Sequence, residues 1–235
     1  MLSIILSRRD FRENDQIVSL YTLERGKVEA LARGVKKIIS KNSAYLEPFF
    51  LVEAEIIPGK ELNHLVKAQP ISIFKNIRAD LHKSLMAGYV MNLLEKFLQN
   101  GEKDVRVFNL IMKWLEFLDG NEIKSNSLIY SFIIKFLNLL GFKPEMDACV
   151  SCGKVDTSAF YFAGGGMVCA ECGNGKKIVG EDIVSMGRAS LADFVLLLNG
   201  NFEDIKAIDS DRVFRIIHRF AMYHSERKLV YFSQI

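Results

Sequence analysis

Four cysteines form two Cys-x-x-Cys-Gly units, Cys149-Val150-Ser151-Cys152-Gly153 and Cys169-Ala170-Glu171-Cys172-Gly173, and the 235-residue chain has no others. Four thiolates carried on two tight turns can enclose a tetrahedral zinc ion, and the glycine after each pair lets the chain turn while backbone N–H groups approach the sulfurs. A four-cysteine shell has no open coordination position, so the spacing predicts one structural Zn2+ rather than a water-activating metal. Redox dithiol chemistry and disulfides are the competing readings of the same residues. Between the pairs, Phe160-Tyr161-Phe162 and Gly164-Gly165-Gly166 predict a small ribbon whose aromatic edge packs on its host domain.

Other chemistry is sparsely provided for. The four histidines, His64, His82, His218 and His224, form no HExxH pattern, and the zinc-deaminase signature is absent. Gly164-Gly165-Gly166 lacks the lysine of a phosphate-binding loop, no GxSxG elbow occurs, and Glu53 and Glu55 read as a solvated pair on an outward strand face. No enzyme is expected.

Noncovalent binding is better supported, by local charge rather than by the net charge of +3. Residues 1–45 hold nine Lys or Arg against five Asp or Glu. Arg8, Arg9, Arg12, Arg33, Lys36, Lys37 and Lys41, with Tyr45 nearby, are the candidates for neutralising phosphates and stacking bases on single-stranded nucleic acid. An ordinary charged surface is the alternative for each of them singly.

These residues need elements to position them. Apolar alternation predicts strands over 1–7, 16–22, 28–33, 47–57 and 62–68, with a turn at Glu24-Arg25-Gly26-Lys27. In the fourth, Phe50, Val52, Ala54 and Ile56 share a face; in the fifth, Leu62, His64, Val66 and Ala68 do. Five short strands with no helix between them predict an OB-like barrel over residues 1–75. The period then lengthens. One helix is expected over 77–99 on Leu81, Leu85, Tyr89, Leu93 and Phe97, reinforced by Met86, Val90 and Leu94, a second from an Asp104 cap to Leu118, and a third from Ser127, apolar on nearly every face and ended by Gly141. Helices over 181–199 and 210–226 follow the cysteines. The expected class is therefore α+β: the barrel, then an all-helical domain over 76–235 with a zinc element inserted at 147–175. No apolar run approaches a membrane span and the first residues lack a secretory leader, so a reducing cytoplasm is expected.

The chain resembles the bacterial RecO family at Arg8-Arg9-Asp10-Phe11-Arg12-Glu13-Asn14-Asp15-Gln16-Ile17-Val18 and at Thr22-Leu23-Glu24-Arg25-Gly26-Lys27. It is similar again at Ala32-Arg33-Gly34-Val35-Lys36-Lys37, at Leu46-Glu47-Pro48-Phe49, and at Leu140-Gly141-Phe142-Lys143-Pro144 leading into the first cysteine pair. The resemblance implies a DNA repair and recombination mediator with an N-terminal OB domain and a zinc-bearing helical domain. Such a protein binds single- and double-stranded DNA, anneals complementary strands, and acts with RecR to help RecA replace single-stranded DNA-binding protein. The acidic tail of that displaced protein would be held by the helical domain, and nucleoid association during repair is implied. Arg33, Lys36, Lys37 and Lys41 match the family's basic first-domain region, whereas Glu226-Arg227-Lys228-Leu229-Val230-Tyr231-Phe232 departs from its basic ending. A zinc-containing RNA-binding ribosomal or transcription accessory protein is the alternative.

Overall fold

The structure, a computed structural model, describes residues 1–36, 45–174, 182–225 and 232. The chain divides into two compact units, Met1–Glu122 and Ile123–Ile235.

In the first unit β1 (Leu2–Asp10), β2 (Gln16–Thr22), β3 (Gly26–Ala32), β4 (Leu51–Ile57) and β5 (Asn63–Ser72) close a barrel in the order β1-β2-β3-β5-β4. The β3–β5 pairing is parallel and the others are antiparallel. The closed five-stranded arrangement is the OB-like barrel expected from the strand spacing. Phe50, Val52, Ala54 and Ile56 all enter the barrel core, while Glu53 and Glu55 face outward, as the alternation requires. Strand β5 departs from its expected face. Its pairing with β4 steps from Glu55↔Lys67 to Ile56↔Leu65, so Val66 is the extra residue of a bulge. The bulge inverts the alternation: Leu65 and Ala68 are buried and Val66 is 49% exposed.

Among the described residues this unit also holds α1 (Lys75–Ala79), α2 (Leu81–Phe97) and α3 (Val105–Gly120). The single helix expected over 77–99 is broken at Asp80, which adopts an extended backbone and accepts the Lys83 N–H as an N-cap. Its buried face carries Met86, Val90, Leu93 and Leu94, whereas Leu81 is 76% exposed. Steps of four residues overshoot a helical turn by about 40° each, so a stripe counted from Leu81 drifts around the axis instead of following one face. Helix α3 follows its expected cap, with Asp104 accepting the Arg106 N–H, and buries Phe108, Ile111, Trp114, Leu115 and Leu118.

Barrel and helices of this unit are locked together. The Lys27 ammonium, nearly buried, donates to the carbonyls of Glu95 (2.6 Å) in the last turn of α2 and of its C-cap Leu98 (3.2 Å), and pairs with Glu95 Oε1 at 3.0 Å. The Tyr21 hydroxyl donates to Asp104 O and accepts from its N–H, at 3.2 and 3.1 Å. Gly26, at φ 68°, passes so close to this segment that a Cβ there would lie 1.9 Å from Glu102 O.

The second unit is built around α4 (Ser127–Leu139), buried on almost every side as its composition requires. Gly141 at φ 94° closes it with paired Gly141 N–H to Asn138 O and Phe142 N–H to Leu137 O bonds. The remaining elements are β6 (Ala159–Tyr161), β7 (Gly166–Val168), α5 (Ala170–Gly173), β8 (Ile183–Ser185), α6 (Arg188–Asn199), α7 (Phe202–Ile205) and α8 (Asp211–Ser225). Lys135 of α4 donates to Leu198 O and Gly200 O at the end of α6, and its burial pushes its pKa down to about 8. The helix expected over 181–199 starts only after Gly187, because Ile183–Ser185 instead pairs with β6 as the third strand of a β7-β6-β8 sheet. Phe160 and Phe162 of the ribbon are fully buried, and Phe160 meets the rings of Phe194 and Phe220 at 5.7 Å, so the aromatic edge does pack on its host. Among the described residues no helix is long and apolar enough to cross a membrane.

Candidate nucleic-acid interface and metal centre

Each cysteine pair lies on a tight backbone turn. Gly153 N–H donates to Cys149 O at 2.8 Å with Gly153 at φ 76°, and Gly173 N–H donates to Cys169 O at 2.9 Å as α5 begins. The ribbon brings the pairs together, since Val150 N–H donates to Met167 O beside Cys169. All four sulfurs lie within 4.8 Å of one another. Cys152 Sγ and Cys169 Sγ are 3.7 Å apart. Bonds of about 2.3 Å from one zinc to four sulfurs give sulfur–sulfur edges of about 3.8 Å, whereas a disulfide needs about 2.05 Å. The donor set thus fits a tetrahedral metal site.

The thiols also push one another's ionisation apart. A backbone hydrogen bond from Cys169 is the chief cause that brings Cys149 down to about 6, while thiol–thiol bonding with Cys152 and then Cys169 pushes Cys172 up to about 12. The Cys149 thiolate is favoured while those of Cys152 and Cys172 are opposed, a conflict that a divalent cation at the centre would relieve. Lys154 and Glu171 pair at 2.7 Å from one turn to the other.

In the barrel unit, Asp15 organises the basic loops. Its main chain closes the β1–β2 turn with Phe11 and Arg12, and its Oδ1 accepts the Gly34 N–H at 2.8 Å. Lys36 N–H donates to Asn14 O at 3.2 Å. These bonds join the segment after β1 to the segment after β3 and bring Arg12 and Arg33 to the lining of the same two clefts.

The cations expected from sequence divide into groups. Arg8 pairs with Glu47 at 2.7 Å, Arg9 with Glu29 at 3.1 Å and Lys36 with Asp10 at 2.7 Å. The Lys36 hydrogen bond, then that of Gln16, holds the Asp10 carboxyl below its ordinary range. Arg12 and Arg33 have no carboxylate partner among the described residues, and Lys37 and Lys41 lie outside those residues. Two further residues line one of these clefts with Arg12 and Arg33 and carry no signal of their own in the site pattern. Phe11 is 44% exposed beneath the Arg12 guanidinium, 5.1 Å from its ring centre, and Lys60 comes from the β4–β5 turn. The pairing of an aromatic with an adjacent arginine at Phe11-Arg12 was the available signal; nothing local to Lys60 places it beside Arg33.

In the second unit an apolar cleft of about 680 Å³ runs along α6, lined by Leu191, Val195 and Leu196, with Arg188 at the helix's first position.

Comparison with known proteins gives a consistent lineage. The family description "Recombination protein O N terminal" matches residues 3–74, and "Recombination protein O C terminal" matches residues 78–230. A DNA repair protein RecO of Geobacter metallireducens is 34% identical over 187 residues, covering 78% of this chain and 76% of the relative. Its namesake in Syntrophomonas wolfei is 32% identical, with 83% and 76% covered, and that of Caldanaerobacter subterraneus is 25% identical across 95% and 92%. With both halves matched in order, the chain belongs to the RecO family of noncatalytic DNA repair and recombination mediators.

Proposed function

We propose that this chain binds single- and double-stranded DNA through its barrel unit, anneals complementary strands, and acts with RecR to help RecA replace single-stranded DNA-binding protein. The observation that carries the reading is the meeting of Arg12 and Arg33, which form no ion pair among the described residues, on a closed OB-like barrel. Phosphate neutralisation by these cations, with Arg8, Arg9, Lys36, Lys37 and Lys41 as the wider set, would let two backbones approach while base pairing supplies the sequence selection. No nucleotide hydrolysis enters this scheme. The acidic tail of the displaced protein is assigned to the α6 cleft, whose apolar walls and Arg188 suit a chain carrying both apolar and acidic groups. The cysteines would hold one structural Zn2+ that stabilises the ribbon and through it the helical unit. The setting is the bacterial cytoplasm, at the nucleoid during repair.

Annealing of fluorescent complementary strands with ATP withheld tests the reading. The expected result is a rate well above the spontaneous one that falls as salt rises, with DNA bound in preference to structured RNA of equal length. A rate indistinguishable from the spontaneous one, or preference for the RNA, overturns it.

A further inference from the structure

Phe11 is a large apolar ring left 44% exposed on a turn whose neighbours are charged. It sits at the rim of a cleft of about 400 Å³ together with Arg12, Arg33, Lys60 and His64, in which Glu61 is the one carboxylate. The Arg12 guanidinium lies over the ring, and neither it nor Arg33 nor Lys60 has a carboxylate partner among the described residues. Arg12 and Arg33 also line a second cleft of about 520 Å³ together with Glu13, Asn14 and Asp15, the last of which is engaged by the Gly34 N–H. The floor is fixed: the loops are pinned by Asp15, and His64 abuts Gly59 so closely that a Cβ there would lie 2.8 Å from its Nε2.

An exposed aromatic paired with a guanidinium offers a base both a π-face and a cation, while cations spaced along a groove suit successive phosphates. An apolar partner would leave three cations desolvated, and a simple anion would make no use of the ring. We propose that the Phe11–Arg12 pair is a base-stacking subsite for single-stranded DNA, with Arg33 and Lys60 holding the phosphates beside it. This rests on the DNA-binding reading above and adds to it a defined stop for one base.

The test compares oligodeoxythymidylate with an abasic backbone of the same length, titrated into the full chain and its Phe11→Trp, Phe11→Leu and Phe11→Ala variants. The Phe11→Trp emission, read against the buried Trp114 background, is expected to be quenched by the thymidylate and not by the abasic strand. Phe11→Leu and Phe11→Ala are expected to lose about tenfold in thymidylate affinity and to keep their abasic affinity. Because leucine retains apolar bulk, a loss in both variants separates stacking from packing. Equal quenching by both strands, or unchanged thymidylate affinity in Phe11→Leu and Phe11→Ala, overturns the subsite and leaves DNA binding standing. Absence of any thymidylate binding by the unaltered chain at low salt overturns both.

Discussion

Arg8, Arg9 and Lys36 lie against Glu47, Glu29 and Asp10, so a phosphate reaching any of them must compete with a carboxylate already in place. Arg12 and Arg33 present no such competition among the described residues, and Lys27 is at the other extreme, committed to two carbonyls and Glu95. Counterion release depends on charge that is available to the phosphates, which makes the clusters unequal although they are equal on paper. Replacing Arg12 and Arg33 together by Ala is expected to reduce the salt slope of single-strand binding by about 1.4, about 0.7 for each phosphate no longer neutralised. The matching Arg8 and Arg9 replacement should change the slope by less and cost at most about 1 kcal/mol of stability per exposed pair. Anisotropy titrations over a range of NaCl concentrations check this, and equal slopes for the two double variants would remove the distinction.

At the scale of elements, the cysteine ribbon was legible because its ligands are fixed by chemistry: four sulfurs at that spacing have few other uses. Strand β4 was legible too, since both irregularities in its ladder with β5 put the extra residue, Ile71 or Val66, on β5 and leave the alternation from Phe50 to Ile56 unbroken. The errors fall where a tertiary partner decides. The bulge at Val66 is set by pairing with β4, and the strand Ile183–Ser185 exists only beside β6. None of these partners is adjacent in the chain. One face of the ribbon is anchored on its host by Phe160 and Phe162, whereas the cysteine side has a core of little more than Cys149, Val168 and Cys169 with flanking half-buried residues, which is the side that a bound metal would cross-link. Cys149→Ser is expected to drop bound zinc well below one equivalent per chain and to lower the unfolding temperature of the helical unit. Metal analysis beside calorimetry reads both effects; full zinc occupancy in the variant would contradict the four-cysteine shell.

For the whole molecule, the question is where an independently folding piece ends. The strand pattern suggests a domain of residues 1–75, while the compact unit runs to Glu122 and carries α1, α2 and α3 with the barrel. The physical difference lies in what the shorter piece would leave uncovered. Without α2 and the α2–α3 segment, Lys27 loses the Glu95 carboxylate and both carbonyls, Tyr21 loses Asp104, and Gly26 loses the backbone against which it packs. Lys27 and Tyr21 would turn to water instead, and each intramolecular hydrogen bond given up is worth about 1 kcal/mol, so that losing the set together with the apolar cover of α2 takes a large share of the roughly 5–15 kcal/mol that holds an ordinary domain together. A fragment of residues 1–122 is therefore expected to unfold in one cooperative transition, and a fragment of residues 1–75 to show none or one displaced far downward. Thermal unfolding followed by circular dichroism decides between them. A midpoint for the shorter fragment within a few degrees of the longer would mean that the barrel stands without its helices, and that the Lys27 clamp fastens the helices to the barrel rather than sustaining it.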